Sequence, residues 1–225
     1  MVGRFGEQAL AYLVLEGMAL GQVYHRGLGV RRYRITVRTA GGHSWVDYGR
    51  PSAVHELAAI INHLTALPVP SRPRSTLNVG VISGGTSVNT IAPEARLELD
   101  LRSEGAYTLA GLTRQVERIV KAAEKPGVQV VIDQIGQRPA GKIAASHPLV
   151  RLAQRALRNQ GLQPILTVGS TDANVPLSRG LPAITLGLST GYGAHTTNEY
   201  IHTQPVSQGL AQLVEVVEGA FRELE

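Results

Sequence analysis

The chain has 225 residues, 43% of them hydrophobic, enough to bury a core and to fill one large domain or two modest ones. Its net charge of +5 and pI near 9.8 would suit a nucleic-acid partner, but Arg31, Arg32, Arg34, Arg38, Arg72, Arg74, Arg151, Arg155 and Arg158 are scattered, and only 4% of residues are aromatic, poor material for base stacking. With no apolar run near the roughly 20 residues of a membrane span, no basic-then-apolar leader and no cysteine, the sequence predicts a soluble, cytoplasmic protein with no membrane partner and no thiolate chemistry.

The first predicted element is a strand-like run from Ala11 to Leu15 that ends in Glu16. Glycine-marked breaks near Gly29 and from Gly136 to Gly141 then set off a middle block. Within it, Tyr33, Ile35 and Val37 alternate with Arg and Thr, as in a half-buried strand. Pro51 and Ser52 open a helix with Val54, Leu57, Ala58, Ile61 and Leu64 on one face. Residues 75–83 and 95–102 are two more alternating strands, joined through Gly84 and Gly85. A second helix carries Leu109, Leu112, Val116, Ile119 and Ala123 on one stripe, and Val128, Val130 and Ile132 close the block as a fourth strand. The order β-α-β-β-α-β predicts a ferredoxin-like unit, a four-stranded antiparallel sheet with two helices on one face. Such a sheet keeps an edge and an open face suited to pairing with another subunit.

After the block, a helix near residues 148–160 ends at Gly161, and Gln163 to Val168 is strand-like. Leu181 to Leu188 reads as a buried strand, and a last helix carries Leu210, Leu213, Val217 and Phe221. This alternation is α/β, and the opening strand belongs with it by type. The expected organisation is an α/β domain made of residues 1–30 and 141–225, with residues 31–140 inserted into it.

Chemistry is expected just beyond the buried strand, where Gly191, Gly193 and His195 lie on a glycine-rich loop that runs on to Glu199 and His202. Glu16, at the end of an apolar strand, can present its carboxylate at the carboxyl edge of the same sheet. Without cysteine, any metal must be held by His, Asp and Glu, a ligand set that suits zinc, cobalt or manganese. On pattern alone, His195 is either a ligand or a surface histidine, and Glu16 either a ligand or an acidic residue that ends a strand. Two other motifs compete. Gly187-Leu188-Ser189-Thr190-Gly191 matches a nucleophile elbow, but the glycines that follow argue for loop where the elbow needs a helix. Gly136 to Lys142 nearly matches a phosphate loop, yet Ile143 stands where Ser or Thr must hold magnesium, and the segment reads as a return linker.

Several of these segments, in order along the chain, resemble the M20 family of zinc-dependent peptidases and amidohydrolases, in particular its tripeptidase-like and deacylase-like members. The loop at His195 resembles the family's H-T-x-x-E motif, and Gly41-Gly42-His43-Ser44 resembles its lid-domain motif. Gly84 to Pro93 resembles the G-G-T-x-x-N-x-I-P hairpin, Asp100-Leu101-Arg102 the strand after it, and Gly169 to Ala173 the G-x-T-D-A segment. The resemblance implies hydrolysis of an amide bond in small peptides or N-acyl amino acids by metal-activated water at a two-zinc site. Glu16 and His195 would each be a metal ligand. His43 would reach the partner's site in a homodimer and stabilise the oxyanion. Asn89 and Arg102 would bind substrate carbonyl or carboxylate groups, with Asp172 supporting the loop. Read without the resemblance, His43 is a turn residue and Arg102 an outward strand residue.

The fold so implied is a partial α/β zinc-exopeptidase-like catalytic domain with an inserted ferredoxin-like dimerisation (lid) domain. It is partial because the family takes its first metal histidine, bridging aspartate, catalytic glutamate and a further ligand glutamate from a segment before the position of Glu16. The fifteen residues before Glu16 contain no His or Asp. The expectation is a portion of a longer enzyme, inert alone, with a non-catalytic dimerisation or binding scaffold as the alternative.

Overall fold

The computed structural model describes residues 2–224. In chain order the elements are α1 (Val2–Phe5), a 3-10 turn at Gly6–Gln8, β1 (Tyr12–Glu16), β2 (Gln22–Gly27), β3 (Gly29–Thr39), β4 (Gly42–His43), α2 (Ala53–Thr65), β5 (Ser75–Gly84), β6 (Thr90–Ile91) and β7 (Glu94–Ser103). They continue with α3 (Ala106–Ala122), β8 (Val128–Arg138), β9 (Gly141–Lys142), α4 (Pro148–Asn159), β10 (Ile165–Gly169), α5 (Asn174–Ser178), β11 (Ala183–Gly187), β12 (Gly191–Tyr192), β13 (Tyr200–Ile201) and α6 (Val206–Glu223). Two compact units result: an outer unit, Met1–Leu28 with Pro139–Glu225, and an inserted unit, Gly29–Arg138.

The inserted unit is an antiparallel sheet in the order β5-β7-β3-β8 with α2 and α3 on one face. Period-2 alternation sends Tyr33, Ile35 and Val37 of β3 and Ala95, Leu97, Leu99 and Leu101 of β7 into one core with Leu57, Ile60, Val116 and Val120. On the other face, directly opposed pairs bridge β3 and β7: Arg38 with Glu94 at 2.9 Å, Arg34 with Glu98 at 2.8 Å and Arg32 with Asp100 at 2.8 Å. Partial burial pushes the Asp100 carboxyl up, but hydrogen bonds from Arg102 and Arg32 outweigh it and hold the group below the usual carboxylate range. The face is thus charged and wetted, and each exposed pair contributes little to stability.

The helix α2 buries Ala53, Leu57, Ile60 and Leu64, so the expected face is rotated by one position and Val54 and Ala58 face solvent. Ala53 begins the inward face, its N–H donating to the Ala92 carbonyl at 2.9 Å, and Ile60, two turns on, is fully buried with it. Tyr33 is buried at the sheet's centre and donates to Glu117 at 2.9 Å, and burial with that bond pushes its phenol up to about 12.

In the outer unit a mixed sheet runs β1-β11-β2-β10, with β9 paired to β2. β1 and β11 are parallel, whereas β2 runs antiparallel to β11 and parallel to β10. The sequence reading found β1, β10 and β11 but no strand at Gln22–Gly27, because Gln22, Tyr24, His25 and Arg26 hide the alternation. Val23, His25 and Gly27 are nonetheless buried at the sheet's centre. α4 lies on this sheet, Leu149, Leu152 and Leu157 packing in one core with Ile184 and Leu186. As expected it stops before Gly161, whose N–H donates to Arg158 at 2.9 Å while Leu162 donates to Leu157 at 3.0 Å.

The last helix departs from expectation. α6 buries Gly209, Gln212, Val216, Gly219 and Ala220, while Leu210, Val217 and Phe221 are exposed and Leu213 is only half-buried. The reason is close approach. A Cβ on Gly209 would lie 2.1 Å from the Leu188 carbonyl oxygen and one on Gly219 2.5 Å from a Leu152 methyl. The small side of the helix therefore packs, and the large apolar side faces away. The phosphate-loop look-alike also resolves: Gly141 and Lys142 form β9, and the next helix starts only at Pro148.

Candidate functional site

In the inserted unit, β4 pairs with β6 so that Gly42 faces Ile91 and His43 faces Thr90. This brings the loop after His43 against the loop holding Asn89, and Ser44 N–H donates to the Asn89 carbonyl at 3.0 Å. The loop is shaped by Asp47, whose Oδ2 accepts from His43 N–H at 2.8 Å and whose own N–H donates to His43 O at 2.9 Å. Gly42, at φ 152°, is required there, since a Cβ would lie 2.7 Å from Asp47 Oδ2. His43 Nδ1 faces the N–H groups of Trp45 and Val46 at 3.3 and 3.4 Å. A ring nitrogen that accepts carries no proton, so neutral His43 keeps its N–H on Nε2. His43 is thus a positioned donor on an exposed loop. Asn89 is exposed beside it, its Oδ1 accepting from Ser87 Oγ at 3.0 Å.

Arg102 is not brought to this pair. It sits at the other end of β7, eight residues from Glu94, or roughly 27 Å along an extended strand. Its Nε donates to Asp100 Oδ2 at 2.6 Å.

In the outer unit, Glu16 ends β1 in register with Gly187, the last residue of β11, and Leu188 N–H donates to Glu16 O at 2.9 Å. Because the two strands are parallel, Glu16 and the chain that runs on to His195 leave the sheet at the same carboxyl edge. Burial first, and then the Glu16 charge, push the Tyr24 phenol up from its ordinary value. Behind this edge, Thr171 Oγ1 and Thr185 Oγ1 are 2.8 Å apart, and Asn174 Oδ1 accepts from Thr171 N–H at 2.9 Å.

His195 lies on the loop between β12 and β13 in the left-handed conformation, φ 65°, which is uncommon for a residue with a side chain. Its N–H donates to Glu199 Oε2 at 2.8 Å, and Thr196 Oγ1 donates to Gly193 O at 2.7 Å. Ser189 cannot be an elbow nucleophile: it is fully buried, it donates to His202 O, and β12 rather than a helix follows.

The sequence reading missed Asp47 and Tyr24, and it named Glu199 on the loop without giving it the role of holding the His195 backbone. The two acids had a signal, since each stands four residues after a histidine that follows a glycine-containing turn, and each accepts from that histidine's backbone. Tyr24 had none, because its strand went unrecognised. Among the described residues, no group of three or more His, Asp or Glu side chains converges as a metal ion would need. Glu16 and His195 do not by themselves make a two-metal centre.

Comparison with known proteins adds to this geometry. Residues 26–128 match the Peptidase dimerisation domain of the M20 family. The chain is 30% identical over 200 residues to succinyl-diaminopimelate desuccinylase of Gluconacetobacter diazotrophicus, a match that covers 85% of this chain and 50% of that protein. It is 28% identical over 172 residues to acetylornithine deacetylase of Klebsiella pneumoniae, covering 74% of this chain and 43% of the relative. The chain thus spans about half the length of the curated relatives it matches. Among solved structures, a tripeptidase from Staphylococcus aureus superposes with a TM-score of 0.80 at 23% identity, over 96% of this chain and 58% of that one. Aminopeptidase PepT from Bacillus cereus gives 0.77 at 22%, over 95% and 58%. At that identity the superpositions show the fold, which both chains share along nearly all of this one.

Proposed function

We propose, on the premise that this chain carries the peptidase dimerisation domain of the M20 family, that it forms part of a homodimeric, metal-dependent hydrolase of amide bonds in small peptides or N-acyl amino acids. The observation that carries this reading is the lid loop. Two backbone amides face His43 Nδ1 and Asp47 holds its backbone, so Nε2–H is a donor fixed in advance. Such a donor lowers a barrier most when aimed at charge that appears only in the transition state, here the oxyanion of the tetrahedral intermediate. Asn89, beside it, is suited to hold a substrate carbonyl through its amide. Since Arg102 lies a strand length away, the reading assigns His43 and Asn89 to one active site and Arg102 to the other site of a dimer, where its fork binds a carboxylate.

Glu16 and His195 are proposed as ligands given to a metal site that further groups complete. A catalytic zinc takes three protein ligands and a water, where it lowers that water's pKa, and two candidates fall short of this. No step is therefore derived through a metal within this chain. The same shortfall favours the second reading, a dimerisation or binding scaffold without turnover.

An amide-hydrolysis assay with added zinc or cobalt separates the two. It compares the chain alone with the chain joined behind the catalytic segment that the family carries upstream of the Glu16 position. The hydrolase reading expects metal-dependent turnover from the joined protein, lost on His195→Ala. No turnover from a folded, zinc-loaded joined protein would leave the scaffold.

A further inference from the structure

The chain's net charge of +5 is not shared between its two units. The inserted unit holds 14 Arg and Lys against 9 Asp and Glu and the outer unit 8 against 8, so the whole excess falls on residues 29–138. On the open face of the sheet, Arg32, Arg34, Arg38 and Arg102 are paired with acids. The helix α3 differs. Arg114, Arg118 and Lys121 stand at spacings of four and three residues on one exposed face, and none of them has an ion-pair or hydrogen-bond partner among the described residues. Like charges at these spacings oppose helix formation, and the negative end of the helix favours only Lys121, which lies in the last turn. Folding gives no reason for Arg114 and Arg118.

The same face is hollow. A cavity of about 660 Å³, a size that suits a small molecule, is lined by the three cations with Gly111, Gln115 and Glu117. Glycine inside a helix weakens it, yet a Cβ on Gly111 would meet nothing within 4 Å, so packing does not demand it. Its effect is to leave the hollow unfilled. Glu117, the one acid in the lining, is engaged from the sheet by the Tyr33 hydroxyl at 2.9 Å. None of these residues has a role in the hydrolytic reading.

We propose that this hollow binds a chain of linked phosphates, such as a tripolyphosphate or the phosphate chain of a nucleoside triphosphate. The three cations follow one another over roughly 10.5 Å of helix axis, so a single phosphate leaves at least one of them unpaired, whereas linked phosphates offer an anionic oxygen to each. The two guanidinium forks match phosphate oxygens in pairs, and the ammonium adds a point charge. The lining has no aromatic ring for bases to stack on, which disfavours a single-stranded nucleic acid.

The test is a calorimetric titration of the full chain in metal-free buffer with tripolyphosphate, adenosine triphosphate, orthophosphate, citrate and a short single-stranded oligonucleotide, with backbone NMR to place the ligand. Tripolyphosphate should bind at one equivalent and shift residues 111–121, and orthophosphate and citrate should bind more weakly by roughly tenfold or more. Adenosine triphosphate binding no more tightly than tripolyphosphate makes a free phosphate chain the source, and tighter binding makes it a nucleotide; either upholds the site. Arg114→Gln, Arg118→Gln and Gly111→Gln, which fills the hollow, should each weaken binding roughly tenfold and melt no lower than the wild type, because glutamine is a good helix former. Arg158→Gln removes the same charge from the outer unit and should leave the affinity unchanged. Equal binding of citrate, equal loss in Arg158→Gln, tighter binding of the oligonucleotide, or no saturable binding overturns the proposal. Lower melting of the two arginine variants would give these cations a structural role and overturn it as well.

Discussion

His195 donates its backbone N–H to the carboxylate of Glu199 at 2.8 Å, and this bond holds a histidine in the left-handed conformation. His43 and Asp47 repeat the arrangement at the same spacing in the inserted unit. Glu199→Ala should release the His195 loop and speed hydrogen exchange at the His195 amide roughly tenfold, the worth of a charge-assisted bond at an exposed site. Glu199→Gln keeps an acceptor and should lie between the two. Unchanged exchange in the alanine variant would mean that the loop is held by other contacts.

If His43 serves the partner's site, two inactive proteins should rescue each other. In the assembled enzyme, His43→Ala and His195→Ala should each lower kcat by about 10²-fold or more. Mixed under conditions that exchange subunits, they should regain roughly a quarter of wild-type activity, because half the dimers are mixed and each has one intact site. Mixing without rescue would show that His43 acts within its own subunit.

Asn174 is almost fully buried and donates through one amide nitrogen to Leu28 O at 2.7 Å and Pro139 O at 2.9 Å, the residues at which the chain leaves and re-enters the outer unit. Asn174→Ala strands both carbonyls and should cost about 2–3 kcal/mol in urea unfolding. Asn174→Asp keeps the acceptor for Thr171 N–H but loses both donations, so it should be at least as damaging. A neutral alanine variant would remove the assigned role.

The packing of α6 makes a prediction opposite to its hydropathy. Val217→Ser, on the exposed apolar side, should change stability by less than about 0.5 kcal/mol. Gly219→Val, against Leu152, should cost about 1–3 kcal/mol or more. Gln212 is fully buried with both side-chain amide atoms unpaired among the described residues, so Gln212→Met should stabilise by about 1 kcal/mol. Thermal melts of the three variants read the order directly.

His147 caps α4, its Nδ1 accepting from Leu149 N–H at 3.2 Å, and burial pushes its pKa below the ordinary 6.5. Above about pH 6.5 the ring is neutral in both folded and unfolded chains, and the cap contributes fully. As pH falls below that value the unfolded chain binds the proton first, so stability declines until the folded pKa is passed. His147→Asn caps without titrating and should flatten the melting temperature as pH falls below about 6.5. An equal slope in both proteins would assign the acid sensitivity elsewhere.

Local pattern was enough to read the elements of the inserted unit, because β3, β7, α2 and α3 each have one wet face that alternation or helical spacing records, although the buried face of α2 lay one position from its expected place. The placement of Glu16 at a strand end and of His43, Asn89 and His195 at or beside turns was legible as well, since glycine-rich turns and strand ends are local. Other features depended on what each segment meets in space. The strand at Gln22–Gly27 is central to its sheet and buries His25, so its composition says little of its position. The inward face of α6 was decided by the clearance that Gly209 and Gly219 leave for Leu188 and Leu152, a distance between residues far apart in sequence that no periodicity contains. The separation of Arg102 from His43 was likewise a matter of strand length and pairing. The sequence names the groups that could do chemistry, and only their arrangement on parallel or antiparallel neighbours decides which of them can act together.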